Sequence, residues 1–194
     1  MSSLLYLVRH GETEWNRQQR IQGSTDIPLN QTGRAQALET ATLLTAARPG
    51  LVVASPLVRA LETAEIIARV LSVDKPTAVA ELVERNYGAA EGLDYLQIER
   101  RFPDRSLVPG QESHHDLAAR SLTALLSIAR SSEVEATVVV AHGGVIRAIL
   151  GKIDPSGAHG RIANGSIHSL GFADDRLSLL AFDAVLTAAA ARSL

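Results

Sequence analysis

Short apolar runs alternate along the chain with longer stretches in which apolar residues recur every three or four positions. Leu4–Val8 (LLYLV), Leu51–Ala54 (LVVA) and Thr137–Ala141 (TVVVA) are continuous apolar runs, which predicts strands buried on both faces. After the first run, Thr32 is placed to cap a helix reaching about Ala47. Ala35, Leu38, Ala41, Thr42 and Leu44 fall on its apolar side, and Pro49-Gly50 ends it. Ser55-Pro56 then supplies an N-cap serine and a first-turn proline, ahead of a stripe through Leu57, Leu61, Ala64, Ile67, Ala68 and Leu71. Residues 78–83 predict a further strand, and a short helix is expected near Asp94–Arg101, broken at Pro103.

The second half repeats the alternation. Ser113 opens a helix whose Leu117, Leu122, Leu125, Leu126 and Ile128 share one side, with Asp116 at capping-box spacing. Gly143–Leu150 predicts a helix beginning at two glycines. Ile167–Phe172 and Leu177–Phe182 flank ADDR, a hairpin at the sheet edge, and the Ala-rich tail from Ala184 predicts a helix or a frayed end. Strands alternating with amphipathic helices define an α/β fold: a three-layer sandwich with a mostly parallel central sheet flanked by helices. The length of 194 residues and the lack of a linker predict one domain, 1–194. In such sheets ligands bind beyond the carboxyl ends of the strands. His10 and His142 each directly follow a predicted strand, so both imidazoles are expected on one rim.

Composition narrows what that rim binds. A net charge of −2 and 4% aromatic residues give no basic face or stacking platform for nucleic acid. The chain has no cysteine, which excludes disulfides, thiolate metal sites and a cysteine nucleophile. The start, MSSLLYLVRHGE, lacks the basic flank and apolar length of a signal peptide, and no run approaches the roughly 18 apolar residues that cross a bilayer. A cytoplasmic protein without membrane partners is the expectation. Local chemistry is more telling. Arg9, His10 and Gly11 leave one strand, His142, Gly143 and Gly144 another, and Ser55 and Arg59 lie between the strand at 51–54 and its helix. Helix N-termini and planar guanidinium groups suit phosphate oxygens.

LVRHGETEWN, SPLVRALETA, ELVERNYGAAEG and VVVAHGG resemble, in order, the four signature blocks of the histidine phosphatase superfamily, which includes cofactor-dependent phosphoglycerate mutases. QGSTDIPLNQTGRAQA is similar to a segment of its phosphatase members. The resemblance spans residue 4 to about 166 and implies a phosphoglycerate mutase-like fold. It implies His10 as the nucleophile that becomes phosphohistidine, with Arg9, Arg59 and His142 holding the phosphoryl oxygens. Glu84 would be the proton donor to the leaving alcohol. Asn16, Gln22, Gly23, Tyr87 and Gly143 would contact the substrate. No metal and no cofactor are implied, because a metaphosphate-like transferring group calls mainly for positioning and fixed positive charge.

Three functions compete for this constellation. A phosphomonoesterase acting on a small phosphorylated metabolite is favoured. A phosphoglycerate mutase is the alternative: ERNYG is closer to the mutase form, but mutases carry a longer insertion than the stretch from Gly88 to Ser113, and QGSTDIPLN is on the phosphatase side. A non-catalytic phospholigand binder would be expected to lose His10, Glu84 or His142, and none is missing. Residues about 86–116 are expected to cover the substrate, whose identity the sequence leaves open, as it does oligomeric state. Capping explains Glu112-Ser113 better than catalysis does. Arg100 and Arg101 stand between substrate contact and a solvated face. Adjacent His114 and His115 point apart in a helix and predict no metal site, while His159 and His168 have no recognisable companions. Asn164 and Ser166 resemble a pocket-lining segment without a catalytic role.

Overall fold

Among the described residues, six strands form a single sheet in the order β3-β2-β4-β1-β5-β6. They are β1 (Ser3–Arg9), β2 (Leu51–Ala54), β3 (Thr77–Ala78), β4 (Ala136–Ala141), β5 (Ile167–Ala173) and β6 (Arg176–Ala181). The computed structural model describes residues 3–104, 107–157, 160–187 and 189. β1, β4, β2 and β3 run parallel, and β5 is antiparallel to both of its neighbours, β1 and β6, so only β5 is reversed. Asp174 and Asp175 turn the β5–β6 hairpin with φ of 50° and 61°, the pair of left-handed residues that a two-residue turn between twisted strands requires. The Ala-rich tail expected from Ala184 lies largely outside the described residues, and His159 lies outside them entirely.

The helices are α1 (Glu14–Arg17), α2 (Gln31–Leu44), α3 (Val58–Leu71), α4 (Tyr95–Arg101), α5 (His114–Ser131) and α6 (Gly143–Ile153). Successive strand residues point to opposite faces, which explains the unbroken apolar runs. Leu4, Tyr6 and Val8 of β1 pack with Ala41 and Leu44 of α2 and with Ala60, Ala64 and Ile67 of α3. Leu5 and Leu7, on the other face, meet Leu117, Leu125 and Ile128 of α5 and Val145, Ile146 and Ile149 of α6. Each fully buried leucine or isoleucine contributes roughly 1.5–3 kcal/mol by leaving water, so both helix layers are held by the same central strand. The three-layer α/β architecture expected from the sequence is the one observed. Among the described residues, no helix is long and apolar enough to cross a membrane.

Several local expectations are corrected. Asn30, not Thr32, caps α2, its side-chain oxygen accepting Gly33 N–H at 2.8 Å, and α2 ends at Leu44 before a 3-10 turn over Thr45–Ala47. The buried side of α2 is Gly33, Ala37, Thr40, Ala41 and Leu44, whereas Leu38 stays 53% exposed. Small residues face inward there because α2 and α3 pack together against the sheet. α3 likewise buries Arg59, Ala60, Thr63, Ala64, Ile67 and Ala68, leaving Leu57, Leu61 and Leu71 at the margin. It starts after Leu57, not Ser55, and its cap comes from across the fold: Asp26 Oδ1 accepts Val58 N–H at 2.8 Å. Residues 78–83 are not a strand; β3 ends at Ala78 and Ala80–Leu82 form a 3-10 turn. Ser113 does cap α5, but the Asp116 carboxylate takes the serine hydroxyl at 2.8 Å instead of its backbone N–H, and Leu122 and Leu126 are only half-buried.

Candidate active site

β1 and β4 are adjacent and parallel with Arg9 opposite Ala141, so the residues that follow each strand emerge side by side. His10 N–H donates to Ala141 carbonyl oxygen at 3.0 Å. The His10 and His142 rings lie with centroids 5.1 Å apart, inclined by 60°, and both are buried. His10 Nδ1 is 2.7 Å from the Gly11 carbonyl oxygen. A carbonyl only accepts, so Nδ1 carries the hydrogen and Nε2 keeps its lone pair. Burial pushes the His10 pKa well below 6.5, and the charges of Arg9 and Arg59 push it further, against the opposing bond to Gly11. His142 is lowered in the same direction, by burial first and then by Arg59, His10 and Arg9. Both rings are therefore neutral near pH 7, and a neutral imidazole is the form that acts as a nucleophile.

Two guanidinium groups flank the rings. Arg9 Nη1 donates to Ile162 carbonyl oxygen at 2.7 Å. Arg59 is fully buried, with Nη1 and Nη2 donating to Thr25 and Gly23 carbonyl oxygens at 2.9 and 2.7 Å. Burial pulls the Arg59 pKa down to about 10 against Glu84, Asp26 and Glu91, which leaves it charged at neutral pH. Among the described residues, the buried side-chain polar atoms without a partner are Arg9 Nε, Arg59 Nε and His142 Nδ1. A buried donor left unpaired costs about 1–3 kcal/mol. Three such nitrogens on residues of one cluster make a cradle for an oxyanion.

Glu84 closes the cluster from the far side. Its carboxylate accepts N–H groups from Arg85 at 2.9 Å and from the first turn of α6, Gly144 at 3.0 Å and Val145 at 3.2 Å. A Cβ on Gly144 would lie 2.5 Å from Glu84 Oε1, so any larger residue there would push the carboxylate from this position. Arg120 fixes the backbone behind it, donating to the carbonyl oxygens of Glu81, Val83 and Glu84 at 2.6, 2.7 and 3.2 Å. Glu112 pairs with Arg120 at 2.6 Å, so it braces the Glu84 loop and neither caps a helix nor enters the site. Tyr87 lines the cavity, and burial, then Glu84, pushes its phenol up to about 12, so it remains an O–H donor.

The remaining expected residues divide between the cavity and its supports. Asn16 lines the cavity while its Oδ1 accepts from Thr13 N–H and from Asn164 Nδ2. Asn164 also donates to His10 carbonyl oxygen at 3.0 Å, which makes it a brace behind that ring. Gln22 and Gly23 line the cavity too, with Gln22 Oε1 accepting the Thr13 hydroxyl at 2.9 Å. Gly23 has φ of +57°, and a Cβ there would meet Glu91 Oε1 at 2.0 Å. Glu91 is a residue to which sequence reasoning assigned no role. It accepts Ser24 N–H, Thr25 N–H, the Thr25 hydroxyl and Tyr87 N–H at 2.9, 3.0, 2.5 and 3.1 Å. It thereby fastens the loop whose carbonyls hold Arg59. Burial raises its pKa, but the hydrogen bonds from Thr25, Ser24 and Tyr87 outweigh this and hold the carboxyl below its usual range.

The cavity measures about 710 Å³ and includes Arg9, His10, Arg59, Glu84 and Gly143 in its lining. Its wall is shared. Tyr87, His114 and His115 come from 86–116, but Leu117 and Ala118 of α5 and one face of α6 complete it. Arg100 and Arg101 are exposed on α4 and outside the cavity lining, with the Arg101 guanidinium 5.4 Å from the Phe102 ring centroid. His114 Nε2 lies 3.0 Å from Arg85 Nη1, and no group of side chains suited to a metal ion occurs among the described residues. His168 is structural, with Nδ1 accepting Asp183 N–H at 3.2 Å and Nε2 facing the Ser166 hydroxyl at 3.1 Å.

A mostly parallel sheet carrying paired histidines at its carboxyl edge, between two helix layers, defines the phosphoglycerate mutase-like class of α/β proteins. The chain belongs to the histidine phosphatase superfamily (branch 1), whose family model matches residues 5–184. It is 38% identical over 173 residues to the protein named uncharacterized phosphatase PhoE of Bacillus subtilis (strain 168), covering 88% of this chain and 89% of that protein. It is 36% identical over 184 residues to a metal-independent phosphoserine phosphatase of Arabidopsis thaliana, covering 89% and 77% of the two chains. A mycobacterial glucosyl-3-phosphoglycerate phosphatase solved with VO3 superposes with a TM-score of 0.84 at 30% identity, covering 94% of this chain and all of that one.

Proposed function

We propose that the protein is a phosphomonoesterase that hydrolyses a small phosphorylated metabolite through a phosphohistidine on His10. The observation that carries this reading is the pairing of two neutral imidazoles, centroids 5.1 Å apart, with the unpartnered nitrogens of Arg9, Arg59 and His142. His10 Nε2 attacks phosphorus as the bond from phosphorus to the ester oxygen breaks. The departing oxygen takes a proton from Glu84. Arg9, Arg59 and His142 hold the three phosphoryl oxygens, whose charge is greatest as the group transfers. Water then attacks the phosphohistidine, Glu84 accepts its proton, and inorganic phosphate leaves with His10 restored. Asn16, Gln22, Gly23, Tyr87 and Gly143 line the space for the ester. The cavity of about 710 Å³ is of the size that encloses a small molecule.

The test is hydrolysis of p-nitrophenyl phosphate and of alkyl phosphates by the protein and by His10→Ala, with trapping of an acid-labile, base-stable phosphoenzyme. Release of inorganic phosphate that depends on His10 and passes through the labelled imidazole is expected. A His10→Ala protein that works at the original rate would sink the reading. A coupled assay in which phosphoglycerates interconvert without net phosphate release would replace it with the mutase.

A further inference from the structure

The cavity extends well beyond the two histidines, and its charge is lopsided. Among the described residues Glu84 is the only carboxylate in its lining, whereas Arg20, Arg85, Arg147, Lys152 and Arg161 add to Arg9 and Arg59. A chain with a net charge of −2 places seven of its 19 Lys and Arg residues around this one cavity. Two of these cations are already occupied. Arg20 donates to Gly92 carbonyl oxygen at 2.7 Å, and Arg85 to Glu112 carbonyl oxygen at 2.9 Å. Arg147, Lys152 and Arg161 have no hydrogen bond or ion pair to any described residue. Being unpaired does not by itself set them apart: Arg17, Arg34 and Arg130 are paired with carboxylates at 2.6 Å, but the exposed Arg48, Arg69 and Arg176 have no partner among the described residues either. What distinguishes Arg147, Lys152 and Arg161 is that they line one cavity together. Like charges gathered on one wall repel unless an anion lies among them. Arg161 and Arg147 both lower the pKa of Arg9, behind the larger effect of burial, so their fields reach the phosphoryl cradle.

The α6 wall gives this charge a direction. Gly144, Arg147, Ala148, Gly151 and Lys152 line the cavity at helical spacing, so they form one face. Its centre is open, and a Cβ added at Gly151 would meet nothing within 4 Å. Along the axis, Arg147 lies about 4.5 Å and Lys152 about 12 Å from Gly144, where Glu84 is bound. Arg161 joins them beside Ile162, whose carbonyl holds Arg9.

We infer that the substrate carries a second anionic group, a carboxylate or another phosphate, held against the α6 wall by Arg147, Lys152 and Arg161. This rests on the phosphatase reading above and deepens it. The ester end sits at the two histidines. The second anion lies along α6, at a distance that a short metabolite spans and a bare phosphate does not. An ester with a neutral tail leaves three cations facing one another.

The experiment compares alkyl monophosphates of equal length that end in a hydroxyl, a carboxylate or a second phosphate, each at low and high salt. The expected result is a kcat/KM about tenfold or more higher for one of the charged esters than for the hydroxyl-ended one. The charged ester that shows the preference identifies the group. In R147A/K152A/R161A the ratio falls toward one, mainly through KM, and in the unaltered protein it shrinks as salt rises. Arg100→Ala, on α4 and off the cavity, leaves the ratio unchanged. Equal rates on all three esters, with no response to the triple substitution, would overturn the inference and leave the phosphatase standing. No His10-dependent hydrolysis of any ester would remove both.

Discussion

His142 Nε2 lies 2.7 Å from the Ser55 hydroxyl oxygen, and that oxygen also receives Leu57 N–H at 3.3 Å. The Ser55 hydroxyl hydrogen has no acceptor other than Nε2 among the described residues, so the hydroxyl donates to that nitrogen. His142 must then carry its own hydrogen on Nδ1, the atom that has no partner among the described residues. Its neighbour His10 presents a lone pair from Nε2. The two rings are thus fixed in opposite senses, one presenting a lone pair and the other a hydrogen, as the proposed mechanism requires. Ser55→Ala removes the lock and is expected to lower kcat/KM about tenfold or more, the loss of roughly 1–3 kcal/mol in transition-state binding. Ser55→Thr, which keeps a hydroxyl, should recover part of it. Nitrogen-15 NMR of His142 is the independent check. If Ser55→Ala keeps the hydrogen on Nδ1 with unchanged turnover, Ser55 is not a positioning residue.

Acid should act on stability before it acts on the nucleophile. Both folded-state histidine pKa values are lowered well below 6.5, while unfolded histidine titrates near 6.5. As pH drops past that value the unfolded chain gains protons that the folded chain does not. Stability therefore is greatest above about pH 6.5 and declines as pH falls toward the folded-state values. Urea unfolding at pH 7.5 and pH 5.5 is expected to show this fall, and a His10→Ala/His142→Ala protein should show less of it. The acid limb of kcat/KM is expected well below pH 6.5 for the same reason. A double variant as acid-sensitive as the parent would show that other groups control the decline.

Glu91 acts at a distance of one loop from the chemistry. Its carboxylate gathers donors from Ser24, Thr25 and Tyr87, and the Gly23 and Thr25 carbonyls behind that loop orient Arg59. Glu91→Gln replaces one acceptor oxygen with an NH2 group facing donors. A loss of about 1–3 kcal/mol in stability is expected, with a fall in kcat/KM of roughly tenfold because Arg59 loses its fixed orientation. Thermal unfolding and steady-state kinetics on the same preparation measure both. Lower stability with unchanged kcat/KM would separate Glu91 from the site.

These contacts also mark where the sequence stopped being legible. The runs at 4–8, 51–54 and 137–141 were readable because a strand covered on both faces tolerates no polar alternation. His10 and His142 were readable because each directly follows such a strand. Cap positions were not, since Ser55 gave its hydroxyl to His142 and the α3 cap came from Asp26, which is remote in sequence. Glu91, Arg120 and Asn164 support the site through partners fixed by tertiary packing, and no local period announces that. Small residues in α2 and α3 misled for a related reason. Their inward face is set by how closely the helices approach the sheet, and Leu38 was left outside.

The leaving group should decide how much Glu84 matters. Its carboxylate is anchored by three backbone N–H groups at the start of α6, a placement that holds the oxygens steady beside the cavity. An alkyl alcohol leaves as a strongly basic alkoxide unless a proton arrives as the bond breaks, whereas p-nitrophenolate leaves without help. Glu84→Gln keeps the shape and one acceptor but has no proton to give. A drop in kcat of about 10²–10⁴-fold is expected on alkyl phosphates, the usual contribution of general acid catalysis, with a much smaller drop on p-nitrophenyl phosphate. The ratio of the two losses is the measurement. It cancels any damage to folding or to phosphate binding, which both substrates share, so equal losses on the two esters would remove Glu84 from the role of acid.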